Sequence, residues 1–407
     1  MTLKRAGIVA ALAAVVGLAG YQMGPLDLDL TLEATLGARA GEADVPTPSK
    51  MVPYFEWDET FPKMPLPNNW ATGTVVGVTV DKNEHVWIAH RAETLRPDEL
   101  EAERGRGECC VKAPHVIEFD FEGNFVQAWG GPSPTGEFDW PTPGPQSKDP
   151  TGGGSPSGMH SIAIDDDDNV WLTGTGSGDG QMLKFTRDGK FLLQVGRAGL
   201  TGPTSNDPQD MGRATGVQIL RGEAYVSDGY GNRRVLVVDA ETGAYKRHWG
   251  AYGKVPDDTL KRRPYDPNVP NPQFTTPHGI AVSQDGHVYL ADRNNSRVQA
   301  FQIDGTYVGE QFIEPHAMSG TVFGVALSPK PEEKYLYIPD GRNEKVWILE
   351  RKTLEILGSF GCGGHAGGCM TTPHSIATDQ RGNIYIGETW EGKRVQRFLY
   401  KGLRSEP

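Results

Sequence analysis

Three of the ten histidines occur in nearly the same local sequence. His160 lies in Met159-His160-Ser161-Ile162-Ala163-Ile164, His278 in Pro277-His278-Gly279-Ile280-Ala281-Val282, and His374 in Pro373-His374-Ser375-Ile376-Ala377. Neutral imidazole is a good ligand for zinc. Three imidazoles from separate elements, with a fourth position left open, make the arrangement of a catalytic zinc site. A lone histidine in such a place lines a channel and binds water. Three in one register favour the metal. The other histidines, His287 and His316 among them, share no such arrangement and are read as surface or loop residues.

These residues need elements that repeat, and the chain repeats itself. After each histidine come a short apolar strand, a turn rich in Asp, Gly and Asn, and a second strand such as Val288-Tyr289-Leu290-Ala291-Asp292. A Gly/Asn/Arg turn, a third strand such as Arg297-Val298-Gln299-Ala300-Phe301, an Asp-Gly type turn and a fourth strand follow. Weaker copies begin near Val76, Thr215 and Phe323. The registers at 76, 160, 215, 278, 323 and 374 define six units spaced by roughly 40–60 residues, the signature of a β-propeller. The units resemble NHL repeats over about 75–400. The fold predicted is all-β, a six-bladed NHL-type β-propeller in one domain. The sixth unit supplies three strands before the chain ends, so Val52–Trp57 is expected to close the ring as its outer strand. Closure removes exposed sheet edges.

The histidines fall in blades two, four and six, about 120° apart around a six-fold ring, so their side chains can converge on its axis. In an up-and-down blade the start of the first strand and the end of the second lie at the same end. That rule places His90-Arg91 of blade one and Asp228-Gly229-Tyr230-Gly231-Asn232 of blade three around the same mouth. Arg91 and Tyr230 are therefore candidates for the site, although each taken alone is as well explained by a surface salt bridge or a packed turn aromatic. The insertions 92–112, 131–157, 196–212 and 250–275 fall at that end too, where function usually resides.

The combination of His-Arg in blade one, Asp-Gly-Tyr-x-Asn-x-Arg in blade three, and Pro-His-x-Ile with Ala-Asp-Arg-x-Asn-x-Arg in blade four resembles the peptidyl-α-hydroxyglycine α-amidating lyase family across the whole propeller. The resemblance implies a zinc-dependent carbon–nitrogen lyase that splits N-acyl- or peptidyl-α-hydroxyglycine into an amide and glyoxylate. It implies that His160, His278 and His374 hold the zinc, that Tyr230 is catalytic and that Arg91 orients the substrate. The residue types suit this chemistry. Zinc polarises a bound oxygen, a phenol beside cations can act as a base, and Arg clamps an anionic substrate.

Some details depart from the family. About 70 residues precede the propeller, too few for the copper monooxygenase domain that accompanies animal members. Ser375 stands where the family has an acidic residue that binds structural calcium, which argues against calcium here. Gly231 replaces a family cysteine, removing that disulfide. Two other readings stand beside the lyase: a non-catalytic NHL propeller that binds a protein or glycan, and a lactonase-like metal hydrolase. The second would place carboxylates and Asn around calcium on the axis, where this chain offers imidazoles.

Composition narrows the partners. Lys and Arg number 40 against 52 Asp and Glu, a formal charge of −12, in a chain of 407 residues. With no basic stripe, nucleic acid is excluded as a partner. The 52 Gly and 30 Pro suit many short strands joined by turns. Nine Trp, 13 Tyr and 14 Phe supply a core and argue against disorder. Lys4 and Arg5 precede an apolar run from Ala6 to Gly20, so residues 1–24 read as a signal peptide or, attached through 6–24, a membrane anchor. Residues 25–50 read as a tether and 51–407 as the propeller, an exported protein, periplasmic or secreted. In such a compartment the four cysteines are expected in disulfides. Cys109 and Cys110 would link to Cys362 and Cys369 across neighbouring blades, or Cys362 would pair with Cys369. The Cys362-x2-His365-x3-Cys369 loop is a weaker metal reading. No Cys-x-x-Cys-His motif for covalent haem is present.

Overall fold

The structure, a computed structural model, describes residues 50–142, 158–200, 202, 204–261, 263–317 and 320–405. The signal or anchor and nearly all of the tether lie outside the described residues.

Six antiparallel four-stranded sheets form the body, one per predicted blade. Blade one runs Thr74–Val80, Val86–Arg91, Val116–Phe119 and Phe125–Trp129. Blade two runs Met159–Ile164, Val170–Gly174, Gln181–Phe185 and Phe191–Gly196. Blade three runs Ala214–Leu220, Glu223–Asp228, Arg234–Asp239 and Tyr245–Trp249. Blade four runs Pro277–Val282, His287–Asp292, Arg297–Gln302 and Tyr307–Phe312. Blade five runs Ala326–Leu327, Tyr335–Asp340, Lys345–Glu350 and Ile356–Phe360. Blade six takes Pro373–Thr378, Ile384–Glu388 and Val395–Ser405 from the end of the sequence, and Met51–Asp58 pairs with the last of these as the outer strand. The predicted closure is present and one strand longer by a residue at each end.

The turns explain the strands. Asp81 and Asp165 each accept two backbone N–H groups of the turn that follows and the indole N–H of the Trp six residues on, at 3.0 Å in both. Asp379 repeats the pattern with the Tyr385 hydroxyl. A carboxylate that closes the turn and anchors the next strand fixes the register of each hairpin. Blade five departs from the pattern. Its innermost strand is two residues long because Pro339, on the neighbouring strand, has no N–H to offer the ladder. Phe323 instead donates its backbone N–H to the Pro339 carbonyl at 3.0 Å.

Hydrophobic clusters fill the junctions between successive blades, blade six against blade one included. Val78, Ile88 and Ile117 pack there with Tyr385 and Val395. Trp87 and Trp171 are fully buried within such junctions. A fully buried large apolar side chain contributes roughly 1.5–3 kcal/mol, so the junctions stabilise the ring far more than any single contact does.

The cysteines pair within their own loops. Cys362 joins Cys369, and Cys109 joins its neighbour Cys110. The cross-blade pairing is thus corrected. Met370 N–H to the Cys362 carbonyl, and Cys369 N–H to the Ala366 carbonyl, fold the 362–370 loop back on itself and bring its two thiols together. The metal reading of that loop falls with the thiols so used. No helix among the described residues is long and apolar enough to cross a membrane.

Candidate metal centre

Each of the three histidines is the second residue of the innermost strand of its blade. The pairing register slips around each of them, between Met159 and Ser161, Pro277 and Ile280, and Pro373 and Ser375. The same slip occurs at Val76 and Thr215. A bulged residue leaves the ladder and its side chain is re-aimed, here toward the axis. The bulge is thus the local device that turns the three histidines inward, whereas the Val76 side chain packs in the junction of blades one and two and the Thr215 hydroxyl donates to the Ser227 and Pro277 carbonyls.

The bulges at Val76 and Thr215 and the irregular segment at Phe323 also leave backbone carbonyls free, and these orient the imidazoles. His160 Nδ1 lies 2.6 Å from the Thr215 carbonyl and His374 Nδ1 lies 2.9 Å from that of Val76, while His278 Nδ1 bonds the Phe323 carbonyl. A carbonyl only accepts, so each Nδ1 carries the proton and each Nε2 keeps its lone pair. The residues at the three non-histidine registers are therefore the partners of the three histidines. Ring centroids stand 4.8 to 4.9 Å apart, and one ligand nitrogen from each lies within 4.8 Å of the others. His160 Nε2 is buried without a hydrogen-bond partner.

Burial, reinforced by Arg293 and Arg91, pushes His374 down to about 3. Burial and the neighbouring imidazoles, with Arg91, hold His160 well below its ordinary range. His278 is lowered likewise by burial, His374 and Arg293. Three neutral imidazoles with second nitrogens already engaged, and one lone pair orphaned, are what a three-histidine metal site requires. The residues fit a metal ion of the borderline kind that zinc represents.

A second group, Asp81, His85 and Glu118, also has metal-like spacing. A cation already occupies it: Arg187 Nη1 lies 3.0 Å from Asp81 and its other terminal nitrogen bonds Glu118. It is an ion-pair network that ties blade two to blade one.

Tyr230 and Arg91 reach the same mouth as the histidines. The Tyr230 ring stands 5.4 Å from His160 and 5.8 Å from His278, with its hydroxyl 3.4 Å from His278 Nε2. Arg91 is buried and donates through Nε to the Met159 carbonyl at 2.6 Å. Burial lowers it to about 10, against the support of Tyr230, Glu93 and Asp179. His90, its neighbour in sequence, is a scaffold residue: it accepts the Gly73 N–H at Nδ1 and donates from Nε2 to the Pro114 carbonyl.

The motif around Tyr230 explains its placement. Asp228, Asn232 and Arg234 are buried, and Asn232 and Arg234 both donate to Asp228, with Arg234 Nε 2.9 Å from it. Asp292, Asn295 and Arg297 repeat the arrangement in blade four. The flanking residues build the scaffold and the one between projects into the mouth, which is Tyr230 in blade three and Arg293 in blade four.

Arg293 is the residue that sequence reasoning missed. Its Nη1 donates to the Tyr230 hydroxyl at 2.9 Å, and its guanidinium carbon stands 4.1 Å from the centre of the Phe323 ring. Arg213 faces the Tyr230 ring at 5.5 Å and donates to the Thr175 carbonyl. Arg342 follows Asp340 and Gly341 at the end of the second strand of blade five. The strand-direction argument that found Arg91 and Tyr230 finds Arg293 and Arg342 as well when applied to blades four and five.

On the far side of the histidines a channel of about 260 Å³ continues along the axis, bordered by Gln218, Gln284, Lys330, Glu333 and Gln380. Ser375 Oγ is buried there without a partner, and the one acidic side chain in the lining, Glu333, accepts the Gln284 N–H at 2.8 Å. A neutral hydroxyl in place of a carboxylate does not suit calcium.

The comparisons agree with this architecture. The NHL repeat family model matches residues 274–301. The chain is 26% identical over 262 residues to peptidyl-alpha-hydroxyglycine alpha-amidating lyase 1 of Drosophila melanogaster, covering 60% of this chain and 45% of that protein. It is 23% identical to NHL repeat-containing protein 3 of Homo sapiens, covering 85% of this chain and 84% of that protein. The chain spans less than half the length of the amidating enzymes it matches. A structural genomics protein of unknown function from Bacteroides thetaiotaomicron has the same fold at 14% identity, with TM-score 0.50, covering 81% of this chain and 70% of that one. The chain is an NHL-repeat six-bladed β-propeller that resembles the peptidyl-α-hydroxyglycine α-amidating lyases.

Proposed function

We propose that this protein is a zinc-dependent lyase that cleaves N-acyl- or peptidyl-α-hydroxyglycine to an amide and glyoxylate. The observation that carries the reading is the meeting of three oriented imidazoles with the Tyr230 phenol and Arg91 at one mouth. Zinc would be held by His160, His278 and His374 and, when bound, would supply Lewis-acid polarisation at the substrate's hydroxyglycine end.

Arg91 pairs with the substrate's carboxylate, and its own Nε bond to the Met159 carbonyl holds it next to His160. Tyr230 takes the proton of the substrate hydroxyl as general base, with Arg293 donating to its oxygen and Arg213 facing its ring. The O–H electron pair becomes the aldehyde C=O as the C–N bond breaks. The departing nitrogen keeps the C–N pair and takes a proton back from Tyr230, so atoms and charge balance. Among the described residues the lining of the axial channel holds a single carboxylate, Glu333, which accepts the Gln284 N–H, where a lactonase-like hydrolase would need several around calcium. Export, with nucleic acid excluded and a substrate that is a small molecule or a peptide, belongs to the same reading and draws on the paired cysteines.

The test is metal analysis of protein purified without chelators, followed by incubation with α-hydroxyhippurate. One zinc per chain and glyoxylate release are expected. Metal-free wild-type protein would contradict the reading.

A further inference from the structure

The mouth carries more positive charge than the proposed reaction uses. Arg91, Arg213, Arg293 and Arg342 form an arc over blades one, three, four and five. Elsewhere in the fold buried arginines meet carboxylates, as Arg234 does with Asp228, Arg297 with Asp292 and Arg397 with Asp58. Among the described residues none of the four at the mouth stands in an ion pair. This occurs in a chain whose formal net charge is −12.

Arg342 is the least accounted for. Its backbone N–H caps Asp340 at 3.0 Å, yet its guanidinium bonds no acceptor among the described residues, and its Nε is buried unpaired. The nearby carboxylates are engaged, Asp340 by Asn343 and Trp347, and Glu344 by the Thr372 N–H. Arg293 Nε is buried unpaired as well. A Cβ at Gly320 would stand 3.7 Å from Arg342 Nε and 3.8 Å from Arg293 Nε, so the two guanidinium groups border one place. The half-exposed Trp390 faces Arg342 at 6.0 Å. A buried guanidinium Nε–H with no acceptor costs free energy unless a ligand answers it.

We infer that Arg342, with Arg293, holds a second carboxylate on the acyl side of the substrate, so that the preferred substrate is a dianion. The inference rests on the lyase reading for the identity of the reacting end. Arg91 and Tyr230 serve that end beside His160. Arg342 lies beyond Arg293 and Phe323 in blade five, and the part of the substrate left to extend that way is the acyl chain. The fork of a guanidinium suits a planar carboxylate.

The test compares N-glutaryl-α-hydroxyglycine with α-hydroxyhippurate on zinc-loaded protein. The glutaryl substrate is expected to have a kcat/KM higher by roughly 10- to 100-fold, chiefly through KM, as befits a charged group that does not react. Arg342→Ala is expected to bring the two substrates to within about twofold of each other, with Arg342→Lys between. Equal kcat/KM in the wild type, or a preference that survives Arg342→Ala, would overturn the inference and leave the lyase reading standing. If neither substrate yields glyoxylate, the lyase reading fails. The anion site is then judged by calorimetric titration of glutarate: binding that Arg342→Ala weakens by at least about tenfold supports it, and no binding overturns it.

Discussion

At the residue scale the centre is defined by which nitrogen carries the proton. His160, His278 and His374 each give Nδ1–H to a backbone carbonyl of a neighbouring blade, so each Nε2 is presented as a ligand before any metal arrives. Replacing any one by Ala is expected to abolish tight metal binding, read by metal analysis of the purified variant. Tyr230→Phe keeps the ring that packs on His160 and removes the oxygen that Arg293 holds. Metal content should stay at the wild-type level while turnover falls by roughly 10²–10⁴-fold, the usual worth of a general base. His90 gives a pH prediction. Burial, with His115 beside it, lowers it from 6.5 to about 4, so the unfolded chain binds the extra proton between those values. Stability therefore falls as the pH drops from 6.5 toward 4, by of order 3 kcal/mol from this residue. Urea unfolding of wild type and His90→Phe across that range should show the shallower dependence in the variant.

At the element scale the site depends on bulges and on turns whose flanking residues are structural. Gly229 shows how tight this is, because a Cβ there would lie 1.7 Å from the Pro277 carbonyl oxygen. Gly229→Ala must push the Tyr230 turn away from the strand that carries His278. Loss of activity and of metal together, with lowered thermal stability, is the expected result. Arg234→Met leaves Asp228 charged and buried without its partner and is expected to cost about 3–5 kcal/mol in denaturant unfolding. Much of this scale was legible in the sequence. The recurrent Asp-rich turns and the period of the histidines gave the strands, and strand direction gave Arg91 and Tyr230. Arg293 was hidden because its motif reads first as the scaffold pair Asp292–Arg297. The pairing of Cys362 with Cys369 was left open because sequence spacing does not reveal how a Gly-rich loop folds back. The short inner strand of blade five follows from Pro339, a local signal that the repeat pattern masked.

At the scale of the whole molecule, closure brings the three histidines together, since His374 takes its orienting carbonyl from Val76 across the junction of the first and last blades. The strand Met51–Asp58 closes that junction from outside, with the Arg397–Asp58 pair as its lock. A chain that starts after Asp58 exposes the edge of Val395–Ser405 and is expected to aggregate or to unfold at lower temperature, read by light scattering and thermal denaturation. The fold was legible because six copies of one unit average out local ambiguity. The occupants of the mouth were only partly so, because they differ from blade to blade. The central claim is that this ring of imidazoles, phenol and arginines releases glyoxylate from α-hydroxyglycines. The most direct measurement is glyoxylate formed from α-hydroxyhippurate by zinc-loaded wild-type protein and by Tyr230→Phe at equal metal content. The account predicts release by the wild type and a loss of roughly 10²–10⁴-fold in the variant. Zinc-loaded wild-type protein that yields no glyoxylate above the uncatalysed rate would contradict it.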